Sequence, residues 1–214
     1  MARTAVVAGS TGLVGSQLLQ KLLQSADYDC VIALTRRPLA LQHAKLRALT
    51  ADFDELSPLL TQLRADDAFC CLGTTQAKAG GRAGLERVDY HMAVDFARAA
   101  RKAGATRLFV VSAIGSSLRS PSFYSRTKAR MQAAVAEIDY ATIQIVQPSL
   151  LLGARKESRP LEDLSQRVAP LLAPLLLGSL QRYRPISAAA VAEALLQLAR
   201  DESARGVHIH PLPL

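Results

Sequence analysis

The chain has 214 residues, 50% hydrophobic, 5% aromatic and 21% charged, with no tryptophan. This length predicts one domain with enough chain for a full core, and the apolar fraction excludes a disordered or collagen-like polymer. The formal net charge of +8 comes from basic residues scattered singly or in pairs. With no long basic run and no interleaved aromatics, nucleic-acid binding is not expected, and the charge suits an anionic cofactor or substrate.

Cys30, Cys70 and Cys71 are too few for a disulfide framework, and no pair has metal-ligand or redox spacing. Buried thiols in a reducing compartment are expected. The start of the chain has no apolar core ending in a cleavage site, so no secretory signal is expected. The longest apolar run, Val168 to Leu177, is interrupted by Pro170 and Pro174. It falls short of the roughly 18 residues of a spanning helix. The expectation is a soluble, cytoplasmic protein without a membrane span.

Thr4 to Ala8 has the pattern of a buried strand, followed by helical apolar spacing over Leu13 to Gln24. Further strands are expected at Cys30 to Thr35, Lys45 to Ala51, Ala68 to Leu72, Leu108 to Ser112 and Thr142 to Val146. Helices are expected from Pro58 onward, from Leu85 to Lys102 with Gly104 as its stop, and from Ser120-Pro121, cap and first residue. Ser187 to Arg200 is an amphipathic helix, and Val207 to His210 a last edge strand. The alternation predicts an α/β fold, a doubly wound, mostly parallel sheet of Rossmann type. Residues 1–214 form one such domain, with 153–214 a small substrate-side extension packed on it.

Gly9-Ser10-Thr11-Gly12-Leu13-Val14-Gly15 lies between the first strand and the first helix. A pyrophosphate needs close backbone N–H donors and the positive end of a helix dipole, which glycines at this turn permit. At the end of the second strand, where an NAD site carries an acid on the ribose, the chain has Arg36 and Arg37. Two guanidiniums pair with a 2′-phosphate, so NADP(H) is the expected cofactor.

Ser112 ends the fifth strand, and Tyr124 and Lys128 are spaced i, i+4 on the following helix. An ammonium beside a phenol brings its ionisation toward the working range, and a serine hydroxyl at the strand end can hold a substrate oxygen. His43, His91, His208 and His210 lack a set of partners for a metal.

The glycine loop, Ser112 and the Tyr-Ser-Arg-Thr-Lys sequence at 124–128 resemble the short-chain dehydrogenase/reductase superfamily in its atypical branch. More closely, Cys71 to Gly80, Arg87 to Tyr90, Gln147 to Gly153 and Arg155 to Pro160 resemble the Tat-interacting-protein-like oxidoreductase family. The likeness covers residues 1 to about 160. It implies NADP(H) on the loop 9–15, with Arg36 and Arg37 at the 2′-phosphate and Asp52 and Phe53 flanking the adenine. Leu72, Gly73, Thr74 and Thr75 would lie along the ribose and nicotinamide side, with Pro148, Ser149 and Leu150 near the nicotinamide ring. The leading expectation is an NADPH-dependent reductase acting on a small, apolar carbonyl compound or activated double bond, with Ser112, Tyr124 and Lys128 catalytic. The rival is a non-catalytic NADP(H)-sensing protein, and a homodimer or protein partner is left open.

Overall fold

The computed structural model describes residues 3–51, 53, 56, 63–149, 151–152 and 185–212. Seven strands form one sheet in the order β3-β2-β1-β4-β5-β6-β9, every neighbouring pair parallel. They are β1 (Arg3–Ala8), β2 (Tyr28–Thr35), β3 (Leu46–Thr50), β4 (Asp67–Cys70), β5 (Arg107–Val111), β6 (Thr142–Pro148) and β9 (Gly206–Leu212). Two short strands, β7 (Leu151–Leu152) and β8 (Ile186–Ser187), pair with each other in parallel.

Strand order reverses between β1 and β4, and the ligand crevice of such sheets opens there, beyond the carboxyl ends of the strands. The alternating side chains of β1 assign the two faces. Ala5 and Val7 join a core with Leu18, Leu22, Phe69, Phe109 and Leu195. Val6 and Ala8 point the other way, into a core with Ile32, Phe96, Leu108 and Ile145. Helices α1 (Leu13–Gln24) and α5 (Ala188–Arg200) pack on each other over the first face.

Over the second face run α2 (Arg82–Glu86), a π-helical turn at Arg87–Met92, α3 (Ala93–Lys102) and α4 (Phe123–Ala136). Gly104, at φ 97°, ends α3 as expected: its N–H donates to the Arg101 carbonyl at 3.1 Å. Ser187 caps α5, its hydroxyl accepting from the Ala190 N–H at 3.1 Å.

Three expectations are adjusted. The helix expected over Leu85 to Lys102 starts at Arg82 and is interrupted by the π-helical turn at Arg87–Met92. The helix expected from Ser120-Pro121 begins at Phe123 with Ser122 as its cap, while the Ser120 hydroxyl accepts from the Ser122 N–H at 3.2 Å. Ser120 and Pro121 therefore form the entry turn. The last strand is longer than expected, covering Gly206 to Leu212 as the edge of the main sheet. The helix expected after Pro58 and the whole apolar run Val168 to Leu177 lie outside the described residues.

At the opposite, amino-terminal edge of the sheet, a buried polar cluster ties strands to helix. The Asp67 carboxylate accepts from Arg107 Nε at 2.7 Å, Arg107 Nη2 at 2.6 Å and the Tyr28 hydroxyl at 2.6 Å. Arg107 Nη1 and Arg3 Nη1 both donate to the Ala199 carbonyl near the end of α5, at 2.9 and 3.0 Å. Cations suit that negative end of the dipole. The cluster is far from the crevice, so its role is structural.

Candidate functional site

The loop 9–15 is a turn in which Gly9 and Gly15 are required by packing. Gly9 leaves β1 at φ 79°, and a Cβ there would lie 2.5 Å from the Cys71 carbonyl oxygen. A Cβ on Gly15 would lie 2.1 Å from the Gly9 carbonyl oxygen, so only glycine lets α1 sit this close to the loop. The Gly12 N–H closes the turn onto that same oxygen at 2.9 Å.

Gly12 then caps α1 without a side-chain hydrogen bond, and no acid lies in the first helical turn. The first-turn N–H groups there lack a side-chain cap, the arrangement that accepts an anion. Ser10 is 2% exposed, and its Oγ has no hydrogen-bond partner among the described residues. A buried hydroxyl left unpartnered is costly, and a phosphate oxygen is the acceptor this cradle fits. Thr11 and Gly12 are exposed at the tip, Leu13 is half-buried and Val14 buried.

Arg36 and Arg37 follow the buried Thr35 at the end of β2, and both are exposed. Neither has an acidic partner among the described residues. Phe53 is buried, in one core cluster with Ala51, Leu56, Val6 and Ile32, so its ring is packed in the core. Asp52 and Leu150 lie outside the described residues.

The loop after β4 carries the half-buried Leu72, Thr74 and Thr75 and the exposed Gly73. The Thr74 N–H donates to Asp89 Oδ2 at 2.9 Å. The other oxygen of Asp89 lies 2.8 Å from Lys128 Nζ, and this ion pair is 0% and 3% exposed on its two sides. Lys128 Nζ also approaches the Val111 carbonyl at 3.4 Å, at the end of β5. Burial pulls the Lys128 ammonium downward, but the Asp89 carboxylate beside it more than offsets this, so its pKa is raised. Lys128 is therefore charged at any physiological pH.

Ser112, 4% exposed, directly follows β5, and its N–H still donates to the Val146 carbonyl at 2.8 Å. Its Oγ accepts from Gln132 Nε2 at 2.5 Å, and Gln132 Oε1 in turn accepts from Gln147 Nε2 at 3.1 Å. Tyr124, Lys128 and Gln132 repeat every four residues along α4, one face of a helix. Tyr124 sits at its exposed end, 37% accessible, while Lys128 and Gln132 are buried. Pro148 and Ser149 are buried beside this edge, and the Pro148 carbonyl accepts from the Ile114 N–H at 3.0 Å.

The fold thus gathers Ser112, Lys128 and the 72–75 loop at one carboxyl edge, beside the glycine turn. Sequence reasoning did not single out Asp89 or Gln132. A signal for Asp89 existed: Leu85, Asp89, Ala93, Phe96 and Ala100 form one helical stripe, all buried, and an acid on such a stripe requires a cation. All three cysteines are free; only Cys70 is buried as expected, while Cys30 and Cys71 are half-buried. Desolvation pushes Cys70 up to about 11 and Cys71 further in the same direction. No cluster of potential metal ligands occurs among the described residues.

Residues 9–151 match the family described as NAD(P)H-binding. Among curated proteins the chain is similar to "Protein FMP52-1, mitochondrial" of Scheffersomyces stipitis, 31% identical over 210 residues, covering 95% of this chain and 91% of that one. The similarly named protein of Aspergillus terreus is 35% identical over 175 residues, covering 79% and 75%.

Among solved structures it resembles the Bordetella bronchiseptica enzyme WbmH in complex with NAD+, with TM-score 0.71 at 14% identity over 99% of this chain and 76% of that one. A UDP-N-acetylglucosamine 4-epimerase from Methanobrevibacter ruminantium gives 0.71 at 15% identity, covering 100% and 77%. At these identities the structures speak for the fold alone. No described helix is long and apolar enough to cross a membrane. The expected cytoplasmic location is corrected, because the curated relatives are named as mitochondrial proteins. Matched over residues 9–151 and nearly end to end by FMP52-1, the chain belongs to the NAD(P)H-binding Rossmann family and is a homologue of the FMP52 proteins.

Proposed function

We propose that this chain is an NADP(H)-dependent reductase of a small, apolar carbonyl compound or activated double bond, of the Tat-interacting-protein-like type. One observation carries the reading: Lys128 and Ser112 are both anchored at the end of β5, on the crevice edge that also holds the orphan Ser10 hydroxyl. Residues 9–15 would hold the pyrophosphate, Arg36 and Arg37 the 2′-phosphate, and Asp52 and Phe53 the adenine side. Leu72 to Thr75 and Pro148 to Leu150 would line the nicotinamide half. Bound there, the cofactor supplies a hydride.

The protein's own residues do the rest. The Gln132 amide occupies one lone pair of Ser112 Oγ, and the Ser112 O–H, with Ser116 Oγ at 3.5 Å as its other neighbour, would turn to donate to a substrate oxygen. Tyr124 donates the proton that the reduced oxygen takes up, and Lys128, one turn along α4, stabilises the tyrosinate left behind.

The test is consumption of NADPH over a panel of apolar aldehydes, ketones and enals by the protein and by Tyr124→Phe. That variant keeps the ring and removes the proton, so its rate should fall about 100-fold or more with NADPH affinity unchanged. An equal rate in the variant removes Tyr124 from the mechanism. NADPH binding with no turnover on any member favours the cofactor-sensing reading.

A further inference from the structure

The Asp89–Lys128 pair bears on the resting protonation of the site's acid. We propose that Asp89 is a positioning residue that offsets part of the Lys128 charge and so keeps the Tyr124 hydroxyl protonated until a carbonyl oxygen arrives. This rests on the reading of Tyr124 as the proton donor.

The geometry leaves the carboxylate little freedom. One oxygen is fixed by the Thr74 N–H at 2.9 Å and the other by Lys128 Nζ at 2.8 Å. Both partners are buried, so water does not screen the pair. Asp89 itself lies in the π-helical turn, a local widening that is often found at functional sites.

Among the described residues the titratable groups that face Lys128 are few. Asp89 comes from the π turn, Cys70 and Cys71 from the end of β4, and Tyr124 from its own helix. Desolvation keeps both thiols neutral. Asp89 is therefore the anion against which the ammonium is balanced among the described residues. An uncompensated ammonium one helical turn from a phenol stabilises the phenolate, which is what a base needs. A compensated one exerts a dipole's weaker field, which leaves the phenol with its proton for an incoming carbonyl oxygen.

The experiment is a pH titration of tyrosinate ultraviolet absorbance on the full chain without cofactor or substrate. Each scan is paired with the same protein carrying Tyr124→Phe, so that the difference isolates Tyr124. In Asp89→Asn, which preserves the side-chain shape, the Tyr124 step should move to lower pH by about one unit or more. In Lys128→Met, with Asp89 left unbalanced, it should move to higher pH. The double variant Asp89→Asn/Lys128→Met should return it toward the unmodified position.

A step that stays in place in either single variant, or a double variant that keeps one single variant's shift, overturns the proposal. If Asp89→Asn does not fold by circular dichroism, the other two arms still decide. Because no NADPH is present, failure here is separate from failure of the reductase reading, which the turnover panel decides.

Discussion

Replacing Gly15 by Ala tests how the glycine turn builds its anion site. The added Cβ would lie 2.1 Å from the Gly9 carbonyl oxygen, far inside contact distance. Gly9 has no room to yield, because it sits at φ 79° with the Cys71 backbone 2.5 Å from its own Cβ position. The start of α1 must move instead. Overpacking of this severity costs about 3 kcal/mol, and the better helix propensity of Ala returns about 1. The net loss of about 2 kcal/mol lowers the melting temperature by roughly 4–8 °C in a chain of this size.

The same displacement pulls the first-turn N–H groups off the phosphate position, so NADPH affinity by fluorescence titration should fall at least about tenfold. Gly12→Ala is the control. Its Cβ would be 3.2 Å from the same oxygen at an ordinary φ of −78°, and a small shift relieves it, so its melting point should lie clearly above that of Gly15→Ala. A Gly15→Ala protein that melts with the unmodified one and binds NADPH equally would refute the packing argument.

Arg36→Ala/Arg37→Ala should erase a preference for NADPH over NADH. Since both side chains are exposed, the lower end of a charge-assisted contact applies, about 1.5 kcal/mol or roughly tenfold in affinity, and equal affinities in the unmodified protein would refute the assignment. Asp67→Asn leaves the buried Arg107 guanidinium without its carboxylate, which should cost about 3–5 kcal/mol in urea unfolding. NADPH affinity of the folded Asp67→Asn protein should be unchanged, because Asp67 lies at the opposite edge of the sheet; a loss below about 1 kcal/mol would show that the cluster is not structural.

The doubly wound parallel sheet was legible because β1, β2 and β5 are short, continuous apolar runs that only a sheet covered on both faces can bury, but the strand order was not. The glycine turn was legible because its spacing is local. Long-range pairing was not. Asp89 and Lys128 are 39 residues apart, and nothing in either neighbourhood says that a π turn and a helix face each other. The same holds for Gln132 on Ser112 and for Arg107 on Asp67, 40 residues apart. Ser120-Pro121 misled by chemistry: it fits a cap and first residue as well as a turn, and the Ser122 hydroxyl supplies the cap two residues later. Ser112 was expected as the last residue of the fifth strand and directly follows it, but that its hydroxyl is held by an amide donor became visible only from the packing of α4 on β5 and β6.

The most direct test of the reductase account follows an isotope. NADPH deuterated at both nicotinamide C4 positions is incubated with the unmodified protein and the apolar carbonyl panel, and products are read by mass spectrometry. The account predicts an alcohol carrying one deuterium on the former carbonyl carbon, or a saturated product with one deuterium on carbon where an enal is taken. Recovery of every carbonyl unreduced, with NADPH demonstrably bound, would contradict it.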